Sequence, residues 1–400
     1  MNKLPAVLGG KPAFGKPVPI TLPTLPSFER VSKMAEGIFS TGMITNHVFV
    51  REFEEKTAEH LGVKHAVAVS SCTSGLMLLM KALELKGKII LPSFTFNATG
   101  TALLWNNLEP VFVDIDSETF NLNPARVEEA ITKKTAAILA VHVFGNPVDV
   151  KSLQEIAERK SVPLIFDSAH AFGASVKGKM VGGFGDAEVF SCSPTKLINS
   201  GEGGIISTNN GMLAEKLKVL RNYGVLPDYD CEQAGLNSRM PELNAILGIE
   251  SLAILNQNLR KRLELVEMYK RGLKKIAGIS FQRIEEGSKS CYKDFSIVVD
   301  KKEFGIDRNG LNLALEKENI VSKKYFFPPL HRQKIFSRYF EKFDGRLPET
   351  NYVSENALSL PLYSHMSRKE VEGIVSCISV IHDNSERVLE ALADARAKTK

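Results

Sequence analysis

From about residue 65 to residue 169 the chain repeats one rhythm: a short, unbroken apolar run, then a segment with amphipathic spacing. The apolar runs are AVAVSS (66–71), KIILPS (88–93), PVFVDID (110–116), AAILAVHVF (136–144) and PLIFDSA (163–169). Between them lie SGLMLLMKALEL (74–85), NATGTALLWNN (97–107), PARVEEAITKK (124–134) and VKSLQEIAERK (150–160). Apolar runs this short, continuous rather than alternating, are the pattern of strands covered on both faces, and the intervening segments supply the covering helices. PARVEEAITKK opens on proline, which a first helical turn accepts because its N–H has no partner there. The expected fold is α/β: a mixed, mainly parallel sheet flanked by helices.

After residue 185 the rhythm changes. AEVFSC (187–192) and GGIIST (203–208) read as shorter strands joined by a loop, and the stretch from about 240 to 276 reads as a bridging helix. Beyond it FSIVVD (295–300) and RNGLNLALEKEN (308–319) mark a second, smaller α/β unit, and the tail ERVLEALADARAKTK a surface helix. With 400 residues, well above one usual domain, the chain is expected to divide into residues 1–250, a large domain with its N-terminal segment, and residues 251–400, a small C-terminal domain including the bridging helix.

Composition narrows the class. Hydrophobic residues at 44% and charged residues at 24% exclude disordered, collagenous and coiled-coil chains. Five cysteines, an odd number without a C-x-x-C pair, argue against a disulfide framework and a zinc ribbon and fit a reduced compartment. The net charge of +5 is spread along the chain and points to no nucleic-acid partner. No apolar stretch approaches membrane-spanning length, and MNKLPAVLGGKPAFGKP lacks a signal-peptide core, so a soluble cytoplasmic protein is expected.

Ligands of open α/β sheets bind beyond the carboxyl ends of the strands. Four segments fall there: SSCTSG (70–75), PSFTFN (92–97), FDSAHAFGA (166–174) and SCSPTKLINSGEGG (191–204). Ser70, Ser71, Thr73, Ser74 and Gly75 at a strand-to-helix turn suit either an anion site or an ordinary N-cap. Asp167, with His170 close behind it, is a ligand-facing carboxylate or a cap; joined with His142 it matches no zinc spacing. Lys196 lies behind Pro194 and ahead of a Gly-Glu-Gly-Gly turn that admits close backbone approach; elsewhere such a loop lysine is solvated surface. Gly173, Gly178 and Lys179 satisfy G-x-x-x-x-G-K, but Met180 stands where a P-loop needs Ser or Thr, and G-x-G-x-x-G does not follow the first strand. Taken together, a strand-end carboxylate, a loop lysine and Ser/Thr turns are what pyridoxal 5′-phosphate requires: a Schiff-base amine, a partner for the pyridine nitrogen and a phosphate cradle. Phe94 and Phe96 are both placed to lie over its ring.

From GGKPAF to LSLPLYSHMS the chain resembles the DegT/DnrJ/StrS family of sugar aminotransferases, of the aspartate aminotransferase fold (fold type I). The resemblance is carried by TGMITNHVFVREFEE, AVAVSSCTSGL, LPSFTFNATGTALLWNNLEPVFVDID, VHVFGNPVDV, FDSAHAFGA, FSCSPTKLINSGEGGIIST, NSRMPELNAILGIESL and PPLHRQKIF. It implies that Lys196 carries the cofactor, Asp167 binds the pyridine nitrogen, His170 packs near the ring and Phe96 stacks on it. Cys72, Thr73 and Ser191 would hold the phosphate, with Asn237 completing that site from the second subunit of a homodimer. Arg239 and His331 would contact substrate. Cys72, Ser238 and Asn146 depart from the commoner small residue, aromatic and Gln. Family dehydratases carry His at the lysine position, so Lys196 implies transamination: glutamate as amino donor, a dTDP- or UDP-linked keto-deoxysugar, a 4-keto-6-deoxyhexose, as acceptor. A keto-cyclitol, an aromatic amino acid precursor or a non-enzymatic regulatory role are the alternatives on the same scaffold.

Overall fold

The apolar runs become strands in a computed structural model that describes residues 4–231 and 233–397, the side chains of 394–397 excepted. β1 (His65–Val69), β2 (Lys88–Pro92), β3 (Glu109–Val113), β4 (Thr135–Val141), β5 (Leu164–Asp167), β6 (Ala187–Ser191) and β7 (Gly204–Thr208) form one seven-stranded sheet in the order β1-β7-β6-β5-β4-β2-β3. The neighbours from β6 across to β3 are parallel. β7 alone runs antiparallel, to β6 on one side and β1 on the other. The reason is local: the connection 192–203 contains no helix, so it turns the chain back rather than crossing over. The carboxyl ends of the six other strands and the start of β7 thus share one side of the sheet.

Burial explains the unbroken apolar runs. In β2, Ile89 and Leu91 join the cluster under α3 (Cys72–Ala82) and α4 (Asn97–Trp105), whereas Ile90 between them joins the cluster with Val127 of α5 (Pro124–Ala130) and Leu153 of α6 (Val150–Lys160). Both faces are covered, so neither parity of side chain is polar. α5 is shorter than its sequence pattern, because Ile131 turns to extended backbone and Thr132 and Thr135 close a turn.

α7 (Gly211–Leu220) packs beside α3, and the bridging helix is α8 (Glu242–Leu273), 32 residues long. Its first half packs Ala245, Ile249 and Leu255 with Phe53 of α2 (Val48–Leu61, preceded by α1, Phe28–Thr41). Gly248 makes that crossing possible, since a Cβ there would stand 2.6 Å from the Phe53 ring. The second half gives Leu265, Val266, Tyr269 and Leu273 to a separate cluster. That C-terminal cluster lies between a three-stranded antiparallel sheet, β8 (Ile279–Phe281), β9 (Phe295–Val299) and β10 (Ala357–Leu360), and the helices α9 (Arg308–Lys317) and α10 (Arg368–Asp383).

The first part of the N-terminal segment, ahead of α1, runs along this C-terminal unit. Val18 lies in its cluster and exchanges backbone hydrogen bonds with Asn319 and Val321. The buried Glu318 carboxylate accepts the N–H groups of Ala6 (2.7 Å) and Ala13 (2.8 Å), so the segment supplies donors that this carboxylate needs. No helix among the described residues is long and apolar enough to cross a membrane.

Glu242, fully buried at the start of α8, does the same for α2. It accepts the N–H groups of His47 (2.7 Å), Phe49 (2.8 Å) and Val50 (3.1 Å), the open end of that helix. Glu242→Ala orphans all three donors and is expected to cost about 3 kcal/mol, read as a lower urea midpoint.

Candidate active site

The phosphate-turn segment folds by capping itself. The Ser71 hydroxyl accepts the Ser74 N–H (3.1 Å) and the Ser74 hydroxyl accepts the Ser71 N–H (3.2 Å), so α3 starts at Cys72, earlier than its apolar pattern. The N–H groups of Cys72 and Thr73, at the first helical positions, have no acceptor within the helix and carry the positive end of its dipole. Both residues line a cavity of about 290 Å³ at the carboxyl ends of the strands. The cap and the candidate anion site are therefore the same turn. The Cys72 thiol points to the Val189 carbonyl (3.8 Å), and burial pushes it well above the usual thiol value, which leaves the backbone as its polar face. Gly204, opening β7, presses on this turn; a Cβ there would be 2.6 Å from the Cys72 nitrogen. Ser238 closes the other side: its carbonyl accepts the Ser70 N–H (2.8 Å) and its hydroxyl donates to Ser74 (2.7 Å). It is fully buried, with its hydroxyl among those of Ser70 and Ser74.

Asp167 ends β5 and is 5% exposed. The Thr99 hydroxyl, from the first turn of α4, donates to Oδ2 (2.6 Å), and the Ala169 N–H donates to Oδ1 (3.1 Å). Because Thr99 gives its proton to the carboxylate, its oxygen is free to accept from Thr95, 2.9 Å away on the cavity wall. Burial pushes the Asp167 carboxyl up; Thr99, the Ala169 N–H, Lys196 and His142 oppose it. His142 stands behind as a structural group: it stacks on Phe166 (5.1 Å) and its Nδ1 accepts the Val148 N–H (3.0 Å). Its Nε2 faces the buried Glu188 at 3.5 Å. Among the described residues no cluster of His, Cys, Asp and Glu fits a metal ion.

His170 lines the cavity, stacked near Phe144 and Phe326. Burial, reinforced by Lys196 and Lys293, holds its ring well below the usual histidine value, hence neutral, and its buried Nδ1 has no partner. Of the two aromatic candidates, Phe94 is fully buried against Phe120, Phe144 and Phe326, while Phe96, exposed at the start of α4, lines the cavity.

Lys196 hangs from the 192–203 loop into the same space, with Ser191 beside it. The loop is fixed by the Asn199 N–H on Ser251 of α8 (2.9 Å) and the Ser200 N–H on the Cys192 carbonyl (2.9 Å). Burial, then the charge of Lys293, lowers its amine to about 8.

Three residues expected at a site do not line this cavity. Asn237 and Arg239 pair with each other (3.3 Å), with Arg239 over the Tyr223 ring, and do not line this chain's cavity. His331 is not at the cavity wall either. Fully buried, its Nδ1 is 2.7 Å from the Ser93 hydroxyl and its Nε2 3.3 Å from Asp344, so both ring nitrogens are spent holding the 330–344 segment against the end of β2. The cavity gains residues that sequence did not single out: Thr95, Glu202, Tyr325, Phe326 and the adjacent pair Lys293–Asp294 ahead of β9. FSIVVD flagged the strand, but nothing in one sequence shows that the residues before it turn into a distant sheet's ligand cleft.

The DegT/DnrJ/EryC1/StrS aminotransferase family model matches residues 28–379. The solved structure of DesI in the presence of its TDP-sugar product superposes with a TM-score of 0.89 at 31% identity, covering 98% of this chain and 98% of that one. The dTDP-4-amino-4,6-dideoxy-D-glucose transaminase of Escherichia coli is 32% identical over 368 residues, 91% of this chain and 98% of the relative. The UDP-N-acetyl-3-dehydro-alpha-D-glucosamine 3-aminotransferase of Acidithiobacillus ferrooxidans is 31% identical over 341 residues, 82% of this chain and 87% of the relative. Matched along nearly its whole length in sequence and in fold, the chain belongs to the DegT/DnrJ/EryC1/StrS aminotransferase family.

Proposed function

We infer that the cavity holds pyridoxal 5′-phosphate and that the protein moves an amino group from glutamate to the keto group of a nucleotide-linked keto-deoxysugar, a 4-keto-6-deoxyhexose on dTDP or UDP. The observation that carries this reading is the meeting of Lys196, Asp167 and the open end of α3 in one cavity. The residues fit the cofactor. A buried carboxylate raised by desolvation gains most from a cationic ring nitrogen, the unpartnered Nδ1 of His170 offers a further polar contact, and α3 offers N–H groups to a phosphate.

When bound, the cofactor supplies an electron sink for the carbon that loses its proton. Asp167 keeps the ring nitrogen protonated, and Thr99 keeps Asp167 oriented and ionised. The N–H of Cys72, with Thr73 and Ser191, holds the phosphate, Phe96 covers the ring and His170 flanks it. Lys196 tethers the cofactor and, freed from it, takes the proton from the donor α-carbon on Nζ and returns it to the acceptor side. An amine near 8 suits both tasks at neutral pH. Asn237 and Arg239 complete the site of a second copy in a homodimer, a role supported by their place outside their own cavity and by the exposed apolar side chains Leu25, Phe28, Phe39 and Ile44. The names of the E. coli and A. ferrooxidans relatives specify different nucleotides and different positions of amination, and the 4-keto acceptor follows the first of them. The protein is expected to act in the cytoplasm.

Purified protein given glutamate and a panel of keto compounds is expected to yield the amino sugar from a dTDP- or UDP-linked 4-keto-6-deoxyhexose, seen as product mass. Product from a keto-cyclitol alone would overturn the acceptor assignment. Lys196→Ala is expected to abolish both turnover and the absorbance of lysine-bound cofactor; ordinary turnover in that variant would sink the mechanism. Thr99→Val removes a hydrogen bond to a charged group, worth about 1.5–3 kcal/mol, so the cofactor dissociation constant should rise about tenfold or more. Without Thr99 the Asp167 carboxyl rises further and protonates more readily as pH falls, so the loss should be greater at pH 6 than at pH 8 in a fluorescence titration of cofactor binding.

A further inference from the structure

Two lysines, not one, line the cavity. We propose that Lys293 is a positioning residue for Lys196: its ammonium, locked in the cavity wall by Asp294, raises the share of Lys196 present as the free amine that attacks a carbonyl carbon. This rests on Lys196 being the reacting amine.

The geometry of the pair supports it. Lys293 and Asp294 are each 6% exposed, and the ammonium lies 2.9 and 3.1 Å from the two carboxylate oxygens. An ammonium this deep must be paired to stay charged, and Asp294 does that. The Tyr325 ring covers it at 5.8 Å. The backbone beneath is fixed on both sides. The Lys293 N–H donates to the Phe144 carbonyl (2.9 Å), and the buried Arg262 guanidinium binds the carbonyls of Lys293 (3.1 Å), Tyr292 (3.1 Å) and Leu362 (3.2 Å). The charge is therefore held in place rather than carried on a free side chain. A buried ion pair is seldom better for stability than an apolar pair of the same volume, so its place beside a reactive amine points to chemistry.

The groups facing Lys196 come from every wall: Cys72 at the start of α3, Asp167 and His170 after β5, Cys192 and Glu202 on its own loop, and Lys293 and Asp294 ahead of β9. Burial keeps both thiols protonated and His170 neutral. Asp167 and Asp294 favour an ammonium on Lys196. Lys293 is the cation that opposes them among the described lining residues, and its pull is second only to burial and ahead of that of Asp294. Lys293 and Asp294 are buried in the wall, so salt screens this repulsion less than it would on the surface.

The test measures the protonation of Lys196 without cofactor. The cofactor-free full chain is treated with formaldehyde and cyanoborohydride across a pH series, and methylation of the Lys196 peptide is followed by mass spectrometry. The wild-type midpoint is expected at about 8. Lys293→Met should move it up by about one pH unit, with labelling at pH 7 about tenfold slower, while Lys293→Arg keeps the cation and the midpoint. Should Lys293→Met fail to fold because Asp294 is left unpaired, the double variant Lys293→Met/Asp294→Asn leaves no lone charge. It is expected to shift the midpoint in the same direction by less, since the pull of Lys293 exceeds that of Asp294. An unmoved midpoint in a folded variant overturns the proposal and leaves the assigned function standing, because that function is read independently from Lys196→Ala.

Discussion

The site depends on one reversal of direction. Had β7 run parallel to β6, the connection between them would have been a crossover helix starting at one end of the sheet and finishing at the other. Because β7 runs back, the 192–203 loop leaves and returns at the side where the other strands end, and it carries Lys196 within reach of Asp167 and of the first turn of α3. The return also brings Gly204 hard against that turn, so the strand carrying the chain away from the lysine is the same one that backs the first turn of α3.

Dehydration then sets the chemistry. The same removal of water raises Asp167, lowers Lys196, keeps His170 neutral and keeps two thiols protonated. Specific neighbours decide how far each group moves. Thr99 and the Ala169 N–H pull Asp167 back toward the carboxylate, and the Lys293–Asp294 pair adds opposing pushes on Lys196. An apolar wall alone would have shifted every group toward neutrality.

What was legible in the chain followed from local rules. Continuous apolar runs gave away the sheet, and strand ends marked Asp167 and Lys196 as residues bound for a cleft. What was hidden depends on contacts far apart in sequence. Phe94 and Phe96 have equal claims in the sequence and would share one face of a continued strand, yet the chain bends after Pro92 and Phe96 becomes the N-cap of α4, so one enters the core and the other lines the cavity. His331 follows a motif but is consumed by Ser93 and Asp344. Thr99 lies on a helix, where a threonine reads as neutral filler, and Lys293–Asp294 sits beside a strand of another sheet. The N-terminal segment goes where Glu318 offers acceptors, about three hundred residues away, which no periodicity reveals.

α8 has a consequence beyond joining two cores. The lysine loop is anchored to it through Ser251, and the backbone bearing Lys293 is anchored to it through Arg262. Those two attachment points lie on one continuous helix, about 16 Å apart along its axis at 1.5 Å per residue. The helix thus takes part in setting the spacing between the two amines, beside the Phe144 and Cys192 carbonyls that hold each segment locally. Loop fluctuations can blur where each nitrogen sits, but both segments share this anchor. A bend in the middle of that helix would change the reactivity of Lys196 without touching a single residue of the cavity.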